Sequence, residues 1–176
     1  MACTSLTQIT NSCSGNIGGI REVYLWDIED QLALTIDPNT YLVTGISVSN
    51  ANDITGYTFT RESSNYTEEL ASDLVNGSTV WTATLNLMFT RREALKSRSI
   101  KILAEGQRYL GAIVLDENGL WWVFQDLQLT ASGDGSGTTK EDGSKYSVTL
   151  VGKTASPAPG ISGATANAFI TTGTGI

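Results

Sequence analysis

Residues 79–89 alternate between side chains that prefer a core and side chains that prefer water, and this stretch constrains the fold most. The positions expected to face a core are Trp81, Ala83, Leu85, Leu87 and Phe89. The polar positions that alternate with them are Thr82, Thr84 and Asn86. A period of two is typical of a β-strand with one dry face and one polar face. The segment therefore predicts a half-buried strand, around which the other elements can be placed.

A helix is predicted directly after this strand. Thr90-Arg91-Arg92-Glu93 has the form of a capping box, in which the Thr hydroxyl and the Glu carboxylate accept hydrogen bonds from backbone N–H groups at a helix start. The helix is expected to cover about residues 91–105 and to end at Gly106, a residue type suited to a left-handed C-cap. It is the single helix that the sequence predicts. The apolar residues on the side expected to face the core are Leu95, Ile102 and Leu103.

Further strands are predicted from apolar or alternating runs that turn residues bound. Two of them, at residues 109–115 and 120–129, are joined by Asp116-Glu117-Asn118-Gly119. The Asn-Gly pair suits a hairpin turn because both residue types tolerate positive φ. The remaining strands are expected at residues 21–28, 32–36, 41–48, 54–61, 63–70 and 146–150. Together these runs predict a mainly β fold.

A long β-hairpin is predicted over about residues 55–90. Its tip is expected between residues 68 and 77, where Glu68, Glu69 and Asp73 precede an Asn-Gly pair. Three acids at a tip favour contact with a basic neighbour, and an ordinary solvated loop is the alternative interpretation.

Five of the 11 basic residues lie on or beside the predicted helix of a chain whose formal net charge is -7. These five residues are Arg91, Arg92, Lys96, Arg98 and Lys101. A basic helix on an acidic body is suited to self-association between subunits, and a solvated helix face is the alternative. The five cations and the three hairpin acids are therefore the candidate inter-subunit contacts.

No residue pattern points to catalysis, a cofactor or a metal site, so we do not expect an enzyme. The chain has no His, and it thus lacks the commonest general base and metal ligand. The Gly-rich stretch at residues 132–143 matches neither a P-loop nor an EF-hand. The acidic balance argues against tight nucleic-acid binding, because such binding neutralises phosphates with Lys and Arg. Cys3 and Cys13 could form a disulfide or remain free thiols.

The two ends of the sequence are uncharged. Residues 1–20 carry no charged side chain, and none follows Lys153. We expect an N-terminal arm over residues 1–20, a single β domain over residues 21–153 and a C-terminal arm over residues 154–176. Such arms either cross onto neighbouring subunits or form disordered tails. No secretory signal peptide and no membrane-spanning run is visible.

Several short stretches follow one another in an order and spacing that suggest a family. They are Met1-Ala2-Cys3-Thr4, Cys13, Gly18-Gly19, Val80-Trp81-Thr82, Ile102-Leu103-Ala104-Glu105-Gly106, Asp116 to Trp122, Lys145 to Gly152 and Ser156-Pro157-Ala158. In this order, and over most of its length, the chain resembles the phage tail tube proteins, particularly a short form in phages of Bacteroidetes-type hosts. The uncharged stretch after Pro159 is longer than in those short forms.

The resemblance implies a single-domain β-barrel or sandwich with one flanking helix, a long hairpin and extended terminal arms. It implies hexameric rings that stack into a tube, related in design to the type VI secretion tube, with DNA in transit through the lumen and not specifically bound. The polar face with Thr82, Thr84 and Asn86 would line that lumen. Other implied partners are tail proteins: a terminator, a baseplate or tip, a tape measure and, in contractile tails, a sheath. The implied location is the virion, after assembly in the host cytoplasm.

Two other interpretations remain open from the sequence. A capsid decoration or head-completion protein would also be β-rich, acidic and arm-bearing. A carbohydrate-binding β-sandwich would stack sugar rings on Trp121 and Trp26. Particle shape separates the first from a tube, and glycan binding by a monomer would identify the second.

Overall fold

The computed structural model describes residue 9, residues 14–60 and residues 62–175. In these residues the backbone forms eleven β-strands and two α-helices. The strands are β1 (Ile20–Asp27), β2 (Gln31–Ile36), β3 (Leu42–Val48), β4 (Thr55–Thr58), β5 (Asn65–Asp73), β6 (Ser78–Thr90), β7 (Leu110–Asp116), β8 (Trp121–Gly135), β9 (Lys145–Thr154), β10 (Gly160–Ile161) and β11 (Thr174–Gly175). The helices are α1 (Ala94–Ala104) and α2 (Gly163–Thr172).

The eleven strands share one hydrogen-bonded sheet that does not close into a barrel. Its order is β11-β3-β10-β8-β7-β1-β4, and β9, β6 and β5 continue from the second half of β8. β8 changes partners near Asp126, whose φ of 56° interrupts the regular strand. Residues 121–124 pair with β7, whereas most later residues of β8 pair with β9. The strand thus connects two packed layers, and the prediction of a mainly β sandwich with a flanking helix is confirmed.

Strand β7 lies at the centre of the fold. All seven of its residues are buried, because apolar clusters pack against both of its faces. One cluster contains Val114 of β7 and Leu85 of β6. The other contains Ile113 of β7 together with Trp26 and Phe169. A strand that is covered on both faces has a nearly continuous apolar sequence, and β7 has this composition.

The alternation in residues 79–89 is confirmed as strand β6. Leu85 and Leu87 are buried, whereas Asn86 between them is exposed. β6 pairs antiparallel with β5 along the whole length of β5. The predicted hairpin over residues 55–90 is therefore present as residues 65–90. The first part of the predicted hairpin is wrong, because residues 55–58 form β4, which pairs with β1 and not with β6.

The predicted capping box is not formed. Thr90 remains in β6, and the N-cap of α1 is Glu93, which makes no side-chain capping hydrogen bond. A tertiary contact replaces the box: the backbone N–H groups of Arg91 and Arg92 donate to the carbonyl oxygen and the hydroxyl of Ser144, at 2.7 and 3.0 Å. Because Ser144 accepts these bonds, the N–H groups of Arg91 and Arg92 need no partner within a helix, and the helix begins only at Ala94.

The end of α1 also differs from the prediction. Glu105, in an extended conformation, is the C-cap in place of Gly106. The chain then continues directly into a 3₁₀ turn, Glu105–Gln107, so that the helix needs no left-handed cap. The side of α1 expected to face the core is only partly right: Leu103 packs on the core, whereas Leu95 is 75% exposed and Ile102 is 42% exposed.

The C-terminal segment folds back onto the sheet. β10 and β11 both pair with β3, and α2 buries Ala166 and Phe169 completely. α2 is capped at both ends: the Ser162 hydroxyl accepts a hydrogen bond from the Thr165 N–H at 3.1 Å, and Gly173 adopts a φ of 73°. This corrects the expectation of an extended C-terminal arm and of a single helix, because burial of Phe169 offsets the cost of ordering the segment.

The N-terminal segment is described continuously from residue 14 and approaches the turn between β7 and β8. There the Ile17 N–H donates to Asn118 Oδ1 at 2.8 Å. The predicted Asn-Gly turn is present, with a positive φ of 80° at Gly119. Cys3 and Cys13 lie outside the described residues, so their pairing stays a prediction. No helix in the described residues is long and apolar enough to cross a membrane.

Candidate assembly surfaces

The outward side chains of β5, β6 and β9 form a continuous surface, which we call the polar wall. Three rows of cross-strand neighbours define it. The rows are Glu69, Thr82 and Lys153; Thr67, Thr84 and Val151; and Asn65, Asn86 and Thr149. The opposite face of the same strands packs on the core. The structure therefore brings together, on one surface, the three residues that the sequence assigned to a lumen.

Hydrogen bonds fix the third row of the polar wall. Asn86 Nδ2 donates to Asn65 Oδ1 at 3.1 Å, and the Thr149 hydroxyl donates to Asn86 Oδ1 at 3.2 Å. The Asn86 amide is thus used on both sides and held in one orientation. The rows of Thr84 and Asn86 consist of uncharged residues, and Glu69 and Lys153 place opposite charges on either side of Thr82. The centre of the wall is therefore uncharged and mostly polar, with Val151 as its apolar member.

The three hairpin acids occupy different positions. Glu68 points back to the fold, and its Oε1 accepts a hydrogen bond from the Ala158 N–H at 2.8 Å. Glu69 is exposed on the polar wall. Asp73 organises the turn at the end of the hairpin: Oδ1 accepts from the Val75 N–H at 2.9 Å, and Oδ2 accepts from Asn76 Nδ2 at 2.6 Å. These bonds, led by that from the Asn76 side chain, lower the pKa of Asp73 below its usual value.

Four of the five cations on and beside α1 already have partners within the chain. The ion pairs are Arg91–Glu93 at 3.5 Å, Arg92–Asp134 at 2.6 Å, Lys96–Glu93 at 3.7 Å and Lys101–Glu105 at 3.3 Å. Arg98 is exposed and forms no ion pair with any described residue. Ion pairs at such exposed positions are weak, so these cations could exchange partners with another subunit at little cost.

The hairpin ends in two exposed apolar residues that the sequence interpretation missed. Leu74 is 92% exposed and Val75 is 94% exposed. Two apolar residues between Asp73 and an Asn-Gly turn are a signal that the sequence does contain. Turn positions are normally polar, so apolar residues there indicate contact with a partner.

Trp26 provides no surface for a sugar. It is 1% exposed and packs edge-to-face on Phe169 with ring centroids 5.1 Å apart. Its Nε1 donates to Gln31 Oε1 at 3.1 Å. Trp121 is half-buried and belongs to the same apolar cluster. Trp26 is therefore not available to stack on a sugar, and the carbohydrate-binding interpretation would have to rest on Trp121 alone.

The described residues thus present a polar wall, a basic helix and an apolar hairpin end. They contain no group of three or more His, Cys, Asp or Glu side chains placed to hold a metal ion. These surfaces have to be interpreted from their own chemistry, because no family model, no curated protein and no solved structure matches the chain.

Proposed function

We propose that the chain is a structural virion protein that assembles into hexameric rings stacked as a phage tail tube. DNA passes through the channel of this tube during ejection. The other partners are tail proteins at its ends and, in contractile tails, around it. The protein assembles in the host cytoplasm, resides in the virion and catalyses no reaction.

The observation that carries this proposal is the polar wall. A channel for DNA needs a surface that water wets and to which phosphates do not adhere. The rows of Thr84 and Asn86 meet that need, because neither row carries a charge, and in the Asn86 row the side chains of Asn65, Asn86 and Thr149 hold one another in place by hydrogen bonds. The wall is also built on paired strands, so its shape is fixed by backbone hydrogen bonds.

The open edges of the sheet support the same proposal. β5 pairs only with β6, and β4 pairs only with β1, among the described residues. An unpaired strand edge invites association with another chain. In a closed ring each such edge pairs with a neighbouring subunit, so the unpaired edges form the interfaces between subunits.

Electron microscopy of the purified protein tests the proposal directly. We expect negatively stained samples, examined over a series of protein concentrations, to contain tubes with a stain-filled central channel. Discrete trimers would contradict the tube and favour a capsid decoration protein. A protein that stays monomeric at every concentration would contradict both.

A density map of the tubes tests the role of the polar wall separately. We expect Thr84 and Asn86 to face the channel. Tubes in which these residues face the outside would leave the assembly proposal intact and overturn the assignment of the wall as the lumen.

A further inference from the structure

The hairpin end and a groove beside α1 are both apolar and exposed. The hairpin tip, residues 73–78, presents Leu74 and Val75 to solvent. The groove has a volume of about 300 Å³ and lies between α1 and the sheet. Its apolar lining consists of Tyr57, Phe89, Leu95, Ile100 and Leu103. We call this feature the α1 groove. An apolar projection and an apolar recess in one chain are complementary surfaces.

The hairpin tip is held in its exposed conformation. Asp73 accepts hydrogen bonds from the N–H groups of Val75 and Asn76 and from the Asn76 side chain. These bonds fix the turn with both apolar side chains pointing away from the fold. A projection that is already ordered loses little conformational entropy on binding, which favours its use as an anchor.

The geometry of β6 prevents a chain from filling its own groove. Ser78 is the last residue of the tip and Phe89 lines the groove, at opposite ends of this 13-residue strand. At about 3.3 Å per residue, the two sites are about 36 Å apart. The groove must therefore receive the tip of a different copy, displaced along the β6 direction.

The charges of the two elements are also complementary. The hairpin formed by β5 and β6 carries three acids and no Lys or Arg. Helix α1 carries three cations, Lys96, Arg98 and Lys101, and no acid. Lys96 lines the groove itself, and Arg98 has no ion-pair partner among the described residues. Opposite charges around an apolar contact guide the approach and orientation of the partners.

We infer that the hairpin tip of one copy inserts Leu74 and Val75 into the α1 groove of a second copy. The contact is heterologous, since tip and groove are different surfaces, and each copy keeps one of each free to continue the series. Repetition along β6 joins copies end to end. The inference deepens the proposed tube and rests on it in taking a second copy of the chain as the partner.

Charge substitutions on both sides of the contact test this inference. Leu74→Asp and Leu95→Lys are each expected to raise the protein concentration needed for tube formation at least about tenfold, because each places a charge in an apolar contact. Leu74→Asp combined with Leu95→Lys is expected to recover much of the loss, since the new charges attract. Leu32→Asp is the matched control, because Leu32 is 70% exposed on β2 and belongs neither to the hairpin tip nor to the lining of the α1 groove. Circular dichroism checks that each variant is folded.

The outcomes separate the contact from the tube. Leu74→Asp tubes that form at the wild-type concentration, or a double variant no better than either single variant, overturn the contact and leave the tube standing. End-to-end chains that depend on Leu74 and Leu95 but have no channel support the contact and overturn the tube. A wild-type protein that never self-associates overturns both.

A photoreactive cross-linker at position 75 identifies the surface that the tip meets. We expect adducts with α1 peptides of another copy in the assembled wild-type background. Adducts confined to other surfaces, including residues 1–13, overturn the inference.

Discussion

Helices α1 and α2 have similar lengths, 11 and 10 residues, but opposite relations to the core. α1 carries three cations and no buried residue. α2 carries no charge and buries Ala166 and Phe169. The Ser162 hydroxyl and a left-handed Gly173 cap α2, whereas α1 has no side-chain cap. The comparison shows that a helix can be conspicuous in a sequence because it is exposed, while the helix that completes the core remains inconspicuous.

The two helices also differ in how they are attached. Phe169 of α2 packs on Trp26, whose indole covers Gly111 of β7 so closely that a Cβ there would clash with the ring. The start of α1 is held mainly by polar contacts: Arg92 pairs with Asp134, and the Ser97 hydroxyl is hydrogen-bonded to that of Tyr146. The apolar contact of α2 should contribute most to the free energy of unfolding. The polar contacts of α1 should contribute less, and their contribution should fall as the salt concentration rises.

The largest effect is expected from Phe169→Ala. Removal of this fully buried ring should lower the free energy of unfolding by about 3–5 kcal/mol. Leu95→Ala on α1 is the control and should change it by less than about 0.5 kcal/mol, because Leu95 is 75% exposed. Urea denaturation of the monomer measures both values, and Phe169→Leu serves if the Ala variant does not fold. Similar losses for Phe169→Ala and Leu95→Ala would contradict the comparison.

The sequence predicted those elements whose signal is local. β6 was found because its apolar residues recur at every second position, and the hairpin between β7 and β8 because of its Asn-Gly turn. The existence of α1 also followed from its sequence. α2 could not be found in this way, because Ala and Thr dominate it and Phe169 and Ile170 are too few to reveal a helical period. What orders α2 is a long-range contact with Trp26, which a local pattern does not contain.

The sequence predicted some parts of the candidate surfaces and not others, again because only local patterns can be read from it. Thr82, Thr84 and Asn86 were placed on one face by periodicity alone, and the structure adds their cross-strand neighbours. The acids were expected at the hairpin tip, but Glu68 turns back to the Ala158 N–H. The α1 groove could not be anticipated, because it is formed by residues far apart in the sequence.

A smaller effect is expected at the helix N-termini. Ser162→Ala should lower the free energy of unfolding by about 1 kcal/mol, because it removes the oxygen that accepts the Thr165 N–H. Thr90→Ala should lower the free energy of unfolding by less, since Thr90 lies in β6 and caps no helix. Urea denaturation of both variants compares the two sites under the same conditions. A larger loss for Thr90→Ala would show that α1 has the predicted capping box in solution.

The smallest effect is expected from Arg92→Gln at the start of α1. The Arg92–Asp134 ion pair is short, at 2.6 Å, but both side chains are 47% exposed, so water and salt compete with it. We expect a slight fall in the denaturation midpoint at low ionic strength. In about 1 M salt, where the screening length is about 3 Å, the difference from wild type should nearly vanish. Thermal denaturation at several salt concentrations measures this trend.

Arg98→Gln is the matched control for that prediction, because it removes the same charge from α1 without breaking an ion pair with a described residue. Phe169→Leu, measured in the same salt series, should lower the denaturation midpoint by a similar amount at every salt concentration, since salt does not screen an apolar contact. If Arg92→Gln still lowers the denaturation midpoint in high salt, the ion pair is not the cause. The stabilisation would then come from packing of the Arg92 guanidinium over the Tyr146 ring, whose centroid lies 5.7 Å from the guanidinium carbon. The start of α1 would then depend on a packing contact that salt does not screen, and the two helices would differ less in how they are attached.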